Sequence, residues 1–270
     1  MTRPAPAAER GEARPGWKSG VERKSAREVA LMRAAGRIAA LALAEMRARL
    51  KPGVTTRQLD AIAEKVILQN KAEPAFKGYP GPYPYPYATT ISINEQLVHG
   101  LPGPRPVREG DLVSLDCGVR YQGYYADAAI SVGVGHCRAE VERLLEVTEG
   151  ALYAGLARLR PGARLGDVSA AIQDYVESRG YRLAEGYTGH GIGRSLHEDP
   201  ELPNIGKAGT GRRVQTGLAL AIEPMVIVGT AGTLVQPDQW TVVSEDGSLA
   251  AHFEHTVIVT EAEPDILTRA

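Results

Sequence analysis

The chain has 270 residues, 43% of them hydrophobic, with 31 basic and 32 acidic side chains for a net charge of −1 and only two cysteines. That balance excludes a disordered chain, a broad electrostatic footprint for nucleic acid or an anionic membrane, a disulfide framework and a cysteine-rich zinc site. The longest apolar run, Ile38 to Ala44, is far short of the roughly 20 residues that span a bilayer, so a cytoplasmic protein with no membrane or nucleic-acid partner is expected.

Residues 1–20, rich in Pro, Ala, Gly and charge, read as a disordered tail, and 21–270 as one domain. Ser25-Ala-Arg-Glu28 has the spacing of a capping box, in which the hydroxyl and the acid satisfy each other's exposed backbone N–H groups. Val29, Met32, Ala35, Ile38 and Leu41 then predict a helix to about Leu50, stopped by Pro52-Gly53. Thr55-Thr-Arg-Gln58 opens a second helix, with Leu59, Ile62, Val66 and Ile67 on its buried side. A Pro/Tyr loop follows, from Glu73 to Tyr87.

Gly110 to Val134 reads as two strands, Leu112 to Val119 and Tyr124 to Val134, folded back across Arg120-Tyr121-Gln122-Gly123. Asp116 and Asp127 lie symmetrically about the Tyr121-Gln122 bond, so a hairpin closed there sets them directly opposite each other. Carboxylates so placed repel, and a metal ion between them is the simplest relief. Taken alone, the hairpin equally allows one aspartate to cap a turn while the other faces water.

The turn Leu50-Lys-Pro-Gly53 recurs 109 residues further on as Leu159-Arg-Pro-Gly162, and the shift lays Leu59, Ile62, Val66 and Ile67 over Val168, Ala171, Tyr175 and Val176. Each half then runs long helix, turn, second helix, strands, with Ala219 to Val228 and Ala250 to Val259 as the strands of the second half. An α/β (α+β) architecture of two pseudo-twofold halves with a site between them follows. Alternatively, two unrelated helix pairs both end in Pro-Gly.

The second half adds His190 and His197 in a glycine-rich segment, and an acid inside each of its apolar strands, Glu223 and Glu254. Buried acids in strands are rarely tolerated without a partner. Asp116, Asp127, His190, Glu223 and Glu254 make a hard, carboxylate-rich set suited to Mn²⁺, Fe²⁺, Co²⁺ or Zn²⁺, and its formal charge of −4 matches two divalent ions. Two such ions would bind a bridging hydroxide and polarise a carbonyl, as in hydrolases of amides and phosphates.

Ser92-Ile-Asn-Glu-Gln-Leu-Val-His99-Gly, the two aspartates at their spacing, Gly189-His190-Gly-Ile-Gly, His197-Glu198-Asp-Pro, Ile222-Glu223-Pro-Met-Val and Phe253-Glu254-His-Thr together resemble the methionine aminopeptidases. The resemblance runs from about Val21 to Thr260. It implies the pita-bread fold, a dinuclear centre on the five ligands, and removal of the initiator methionine from nascent chains, at the ribosome, by a monomer. By the same matching, Glu223 handles the proton of the attacking water, and His99 and His197 contact substrate and steady the tetrahedral intermediate. The 25 residues between His197 and Glu223 leave no room for the helical insertion of the type II enzymes, so type I is the nearer match. Tyr79 and Trp240 are the candidates for the methionine pocket, whose shape the resemblance leaves open because the Tyr79–Tyr87 loop is long and Leu196 stands where an aromatic is usual. An Xaa-Pro peptidase of the same fold, and a homologue that binds without catalysis, are the alternatives.

Overall fold

A computed structural model describes residues 17–269 of the chain. Both capping boxes form as their spacing requires: Ser25 and Glu28 open α1 (Ala26–Arg49), and Thr55 and Gln58 open α2 (Thr56–Gln69). After α2 come β2 (Glu73–Pro74), β3 (Thr90–Ile93), β4 (Gln96–Val98), β5 (Leu112–Tyr121) and β6 (Tyr124–Gly133). The second half repeats the order with α3 (Ala139–Leu156), α4 (Leu165–Glu177), β7 (Arg182–Leu183), β8 (Thr188–Gly191), β9 (His197–Pro203), β10 (Ala219–Ile222) and β11 (Met225–Ile227). It ends with β12 (Thr233–Val235), β13 (Val242–Ser244), β14 (Ala250–His252), β15 (Glu254–Ile258) and β16 (Asp265–Ile266).

Order begins before the expected boundary at Val21. Trp17–Lys18 form β1, parallel to β9, and the Gly20 amide donates to Asp199. Residues 1–16 of the expected tail lie outside the described residues.

The internal echo is physical. Gly53 and Gly162, at the corresponding turns, both take positive φ, 91° and 87°, a conformation a Cβ would oppose. Burial follows the same shift: Leu59, Ile67, Val168 and Val176 are fully buried, while Ile62, Val66, Ala171 and Tyr175 are partly covered. Each helix pair packs its own apolar cluster, α1 and α2 against β5 and β6, α3 and α4 against β10, β11 and β14. One antiparallel platform runs through both halves in the order β9-β8-β10-β15-β6-β5.

The hairpin corrects one expectation. Its loop is Gln122-Gly123, both at positive φ (48° and 83°), the two-residue type I′ geometry that matches strand twist. Tyr121 therefore pairs with Tyr124, Asp116 with Ala129, and Asp127 with Gly118. The two aspartates are diagonal neighbours on one face, not directly opposed.

The long strands expected in the second half are also broken. Pro224 has no N–H with which to continue a ladder, so Ala219–Ile222 stays in the platform while Met225–Ile227 joins a separate sheet with β7 and β14. Ala250–His252 and Glu254–Ile258 divide at Phe253 in the same way. Both strands change sheet beside the acid they carry.

Candidate active site

Three adjacent strands bring the carboxylates together. Ala129 of β6 pairs with Asp116 of β5 on one side and Glu254 of β15 on the other, and Asp127 lies two residues back along β6. His190 enters from β8, opposite Ala221 of β10, and Glu223 hangs from the break after β10. Ligating atoms of Asp127, His190 and Glu254 all lie within 4.8 Å of one another. His190 Nε2 is 3.5 Å from Glu223 Oε1, while its Nδ1 lies 2.8 Å from the Gly191 carbonyl. Donation from Nδ1–H to that carbonyl leaves the Nε2 lone pair facing the acids.

No lysine or arginine is among the described residues lining this pocket, and the acids respond to one another. Burial lifts the Asp116 carboxyl to about 7, against the pull of the Thr90 hydroxyl and Asp127. Burial and then the Asp116 charge push Asp127 up; Glu223 rises through burial, then Asp127 and Asp116, and Glu254 through burial, then Asp127, Glu223 and Asp116. Burial holds His190 down at about 4. Among the described residues, Oδ1 of Asp116 and Oε1 of Glu254 are buried without a hydrogen-bond partner. Four crowded carboxylates, a neutral imidazole and orphaned oxygens form a donor set that divalent cations would satisfy.

All nine residues singled out in the sequence line one pocket: Tyr79, His99, Asp116, Asp127, His190, His197, Glu223, Trp240 and Glu254. His197 packs its ring 4.3 Å from that of His190, and the Tyr79 hydroxyl is 2.7 Å from its Nδ1. Burial, then His190 and His99, drive His197 well below the usual imidazole range, so the ring is neutral. His99 stands accessible on the pocket wall with φ of 59° and is lowered to about 4 by the protein crowded around it, then by His252.

Sequence reasoning missed Phe76, Tyr85 and Thr90, which also line the pocket. Tyr85 makes the closest aromatic contact with Trp240, edge to face at 5.1 Å, and donates its hydroxyl to the Thr89 and Gly100 carbonyls. Tyr79, expected to share the methionine box with Trp240, lines the same pocket and has its hydroxyl against His197. A Cβ on Gly81 would come within 2.4 Å of the Trp240 ring, so glycine lets the loop settle against the indole. Thr90 pairs with Asp116 across β3 and β5. Asp60 accepts from the Ala88 and Thr89 amides and the Thr89 hydroxyl, which pins the end of the loop.

Fold and site together define a metal-dependent hydrolase. The chain belongs to metallopeptidase family M24, which residues 30–261 match. It is 46% identical over 246 residues to methionine aminopeptidase 1 of Bacillus subtilis, covering 91% of this chain and 98% of that one. To methionine aminopeptidase 1 of Mycobacterium tuberculosis it is 46% identical over 255 residues, covering 92% and 95%. The crystal structure of the Thermotoga maritima methionine aminopeptidase superposes with a TM-score of 0.91 at 44% identity, over 93% of this chain and all of that one. Prolidase from Pyrococcus furiosus has a TM-score of 0.75 at 22% identity, and this chain spans 65% of it. That likeness is one of fold, and the architecture is the pita-bread arrangement shared by both groups.

Proposed function

We propose that the protein is a metallo-aminopeptidase that removes the N-terminal methionine of polypeptides whose second residue is small. One observation carries the reading: the carboxylate cluster shares a single pocket with an aromatic recess of Phe76, Tyr85 and Trp240. An unbranched thioether side chain fits such a recess well, and its peptide bond then lies beside the acids.

Asp116, Asp127, His190, Glu223 and Glu254 would hold two divalent ions, Mn²⁺, Fe²⁺, Co²⁺ or Zn²⁺. When bound, these supply Lewis-acid polarisation of the carbonyl and make water a competent nucleophile at neutral pH. Glu223 takes the proton of the attacking water and returns it to the leaving amine. His197 is neutral; with the Tyr79 hydroxyl donating to Nδ1, its proton sits on Nε2, from which it donates to the oxyanion of the tetrahedral intermediate. His99, accessible on the pocket wall, contacts the substrate backbone. Residues 21–270 act as one catalytic unit, a cytoplasmic monomer that meets nascent chains at the ribosome.

Hydrolysis of Met-Ala-Ser, Leu-Ala-Ser and Ala-Pro peptides by the Mn²⁺-loaded protein tests the reading. Met-Ala-Ser should be cleaved at least a hundredfold faster than the others. Equal cleavage of Met-Ala-Ser and Ala-Pro would overturn it in favour of an Xaa-Pro peptidase.

A further inference from the structure

His252 closes β14 opposite Met225 and is 1% exposed. It does not line the pocket, yet its Nε2 lies 3.7 Å from Oδ2 of Asp116. Its backbone is fixed to the aspartate hairpin: the His252 amide donates to Ser131 Oγ, which is 2.7 Å both from the His252 carbonyl and from Ser114 Oγ. The placement of the ring relative to β5 and β6 is therefore set by the sheet.

Neither ring nitrogen has a hydrogen-bond partner among the described residues. Leaving a buried polar group so is costly, which is why nearly all such groups find one. Asp116 Oδ2 receives one side-chain donor, the Thr90 hydroxyl at 3.3 Å. Carboxylates that bind metals are ordinarily steadied by a donor outside the metal site, and the imidazole is not among the side chains that line the pocket.

We propose that His252 is a positioning residue for Asp116, its Nε2–H donating to Oδ2 so that this carboxylate is held in one orientation for metal. The inference rests on reading Asp116 as a ligand. A neutral imidazole has a single proton to give, and the Leu97 backbone is the competing acceptor for it. Donation to Leu97 instead would turn the Nε2 lone pair toward Asp116 and make His252 a purely structural residue.

The full chain, stripped with chelator and titrated with Mn²⁺ alone in a calorimeter, separates these possibilities. His252→Leu should weaken Mn²⁺ binding roughly 10- to 100-fold while the melting temperature in chelator stays level or rises. His252→Gln, which restores an N–H donor, should return the affinity to within about threefold of wild type, and KM for Met-Ala-Ser at saturating Mn²⁺ should not move. Should His252→Leu fail to fold, His252→Met gives the same reading with a more adaptable side chain. If the apolar variant binds Mn²⁺ within twofold of wild type while Asp116→Asn binds it weakly, the positioning role fails and the ligand reading stands. If Asp116→Asn also binds as wild type does, the ligand reading itself is wrong. A loss in the apolar variant that Gln does not recover assigns His252 to packing and overturns the proposal.

Discussion

The Tyr79 hydroxyl lies 2.7 Å from Nδ1 of His197, on the wall of the pocket that holds the carboxylates. Burial lifts the phenol to about 12, so it stays protonated throughout the working range and can donate to that nitrogen. Tyr79→Phe removes one hydrogen bond, worth about 0.5–1.5 kcal/mol, and should lower kcat by roughly two- to twelvefold. His197→Ala removes the oxyanion donor itself and should lower kcat by roughly 10²–10³. Both should leave KM and metal content near wild type, as steady-state kinetics and metal analysis on the same samples will show. Loss of metal from His197→Ala would instead make that histidine a ligand.

Glu223 occupies the break between β10 and β11 with Pro224 after it, a backbone that places its carboxyl 3.5 Å from His190 and within the field of both aspartates. Glu223→Gln keeps an oxygen for metal but cannot take a proton. Turnover should fall by roughly 10²–10⁴ with metal still bound. A variant retaining more than a tenth of wild-type kcat at saturating metal would remove Glu223 from the proton-transfer role.

In chelator, the pH dependence of stability has two opposing parts. Asp116, Asp127, Glu223 and Glu254 are all raised, so the folded protein keeps protons that the unfolded chain releases near pH 4. Their contribution is complete below about pH 4 and is lost as pH rises through about 7 and beyond. His99, His190, His252 and His255 are lowered to about 4 and His197 further, so their effect runs the other way, gaining stability from about pH 4 to 6.5. Above about pH 7.5 the imidazoles are neutral in both states and the carboxyls act alone. The melting temperature should then fall with pH, by about 1.4 kcal/mol of stability per unit for each carboxyl still protonated in the fold. A scan from about pH 7.5 to 9 in EDTA should show that fall in wild type and a flatter line in Glu254→Gln. Parallel lines would mean that Glu254 titrates normally.

Much of this site was legible because its residues break local rules. An acid in Leu-Ala-Ile-Glu-Pro-Met or Val-Ser-Leu-Asp-Cys-Gly contradicts its apolar strand, and each such contradiction turned out to point into the pocket. The helices were legible because Ser25, Glu28, Thr55 and Gln58 act within one turn. Hairpin register was not, since a Gln122-Gly123 loop carries a weaker signal than Asn-Gly and a shift of the closing point slides every partner. That Tyr85 packs edge to face on Trp240 is a tertiary contact with no period in the sequence. His252 escaped notice because nothing local marks a histidine at a strand end as lying close to Asp116.

The diagonal placement of Asp127 and Asp116 leaves the charge conflict in force, because the Asp116 charge is the largest influence after burial in raising Asp127. Metal that relieves this conflict stabilises the fold as well as activating it. Binding to the folded state alone at a hundred times Kd is worth about 2.7 kcal/mol, on the order of 5–10 °C in melting temperature for a chain of this size. Asp127→Asn should therefore behave in opposite ways in the two forms. With excess Mn²⁺ it should melt below wild type, because a ligand is weakened. In EDTA at pH 8 it should melt level with or above wild type, because one of the crowded charges is gone and the amide can still accept the Ala128 N–H that now reaches Oδ1 at 3.0 Å. Scanning calorimetry in the two buffers reads both arms. Equal loss of stability in both would mean that ordinary hydrogen bonds hold the aspartates, and the hairpin would then be no metal clamp.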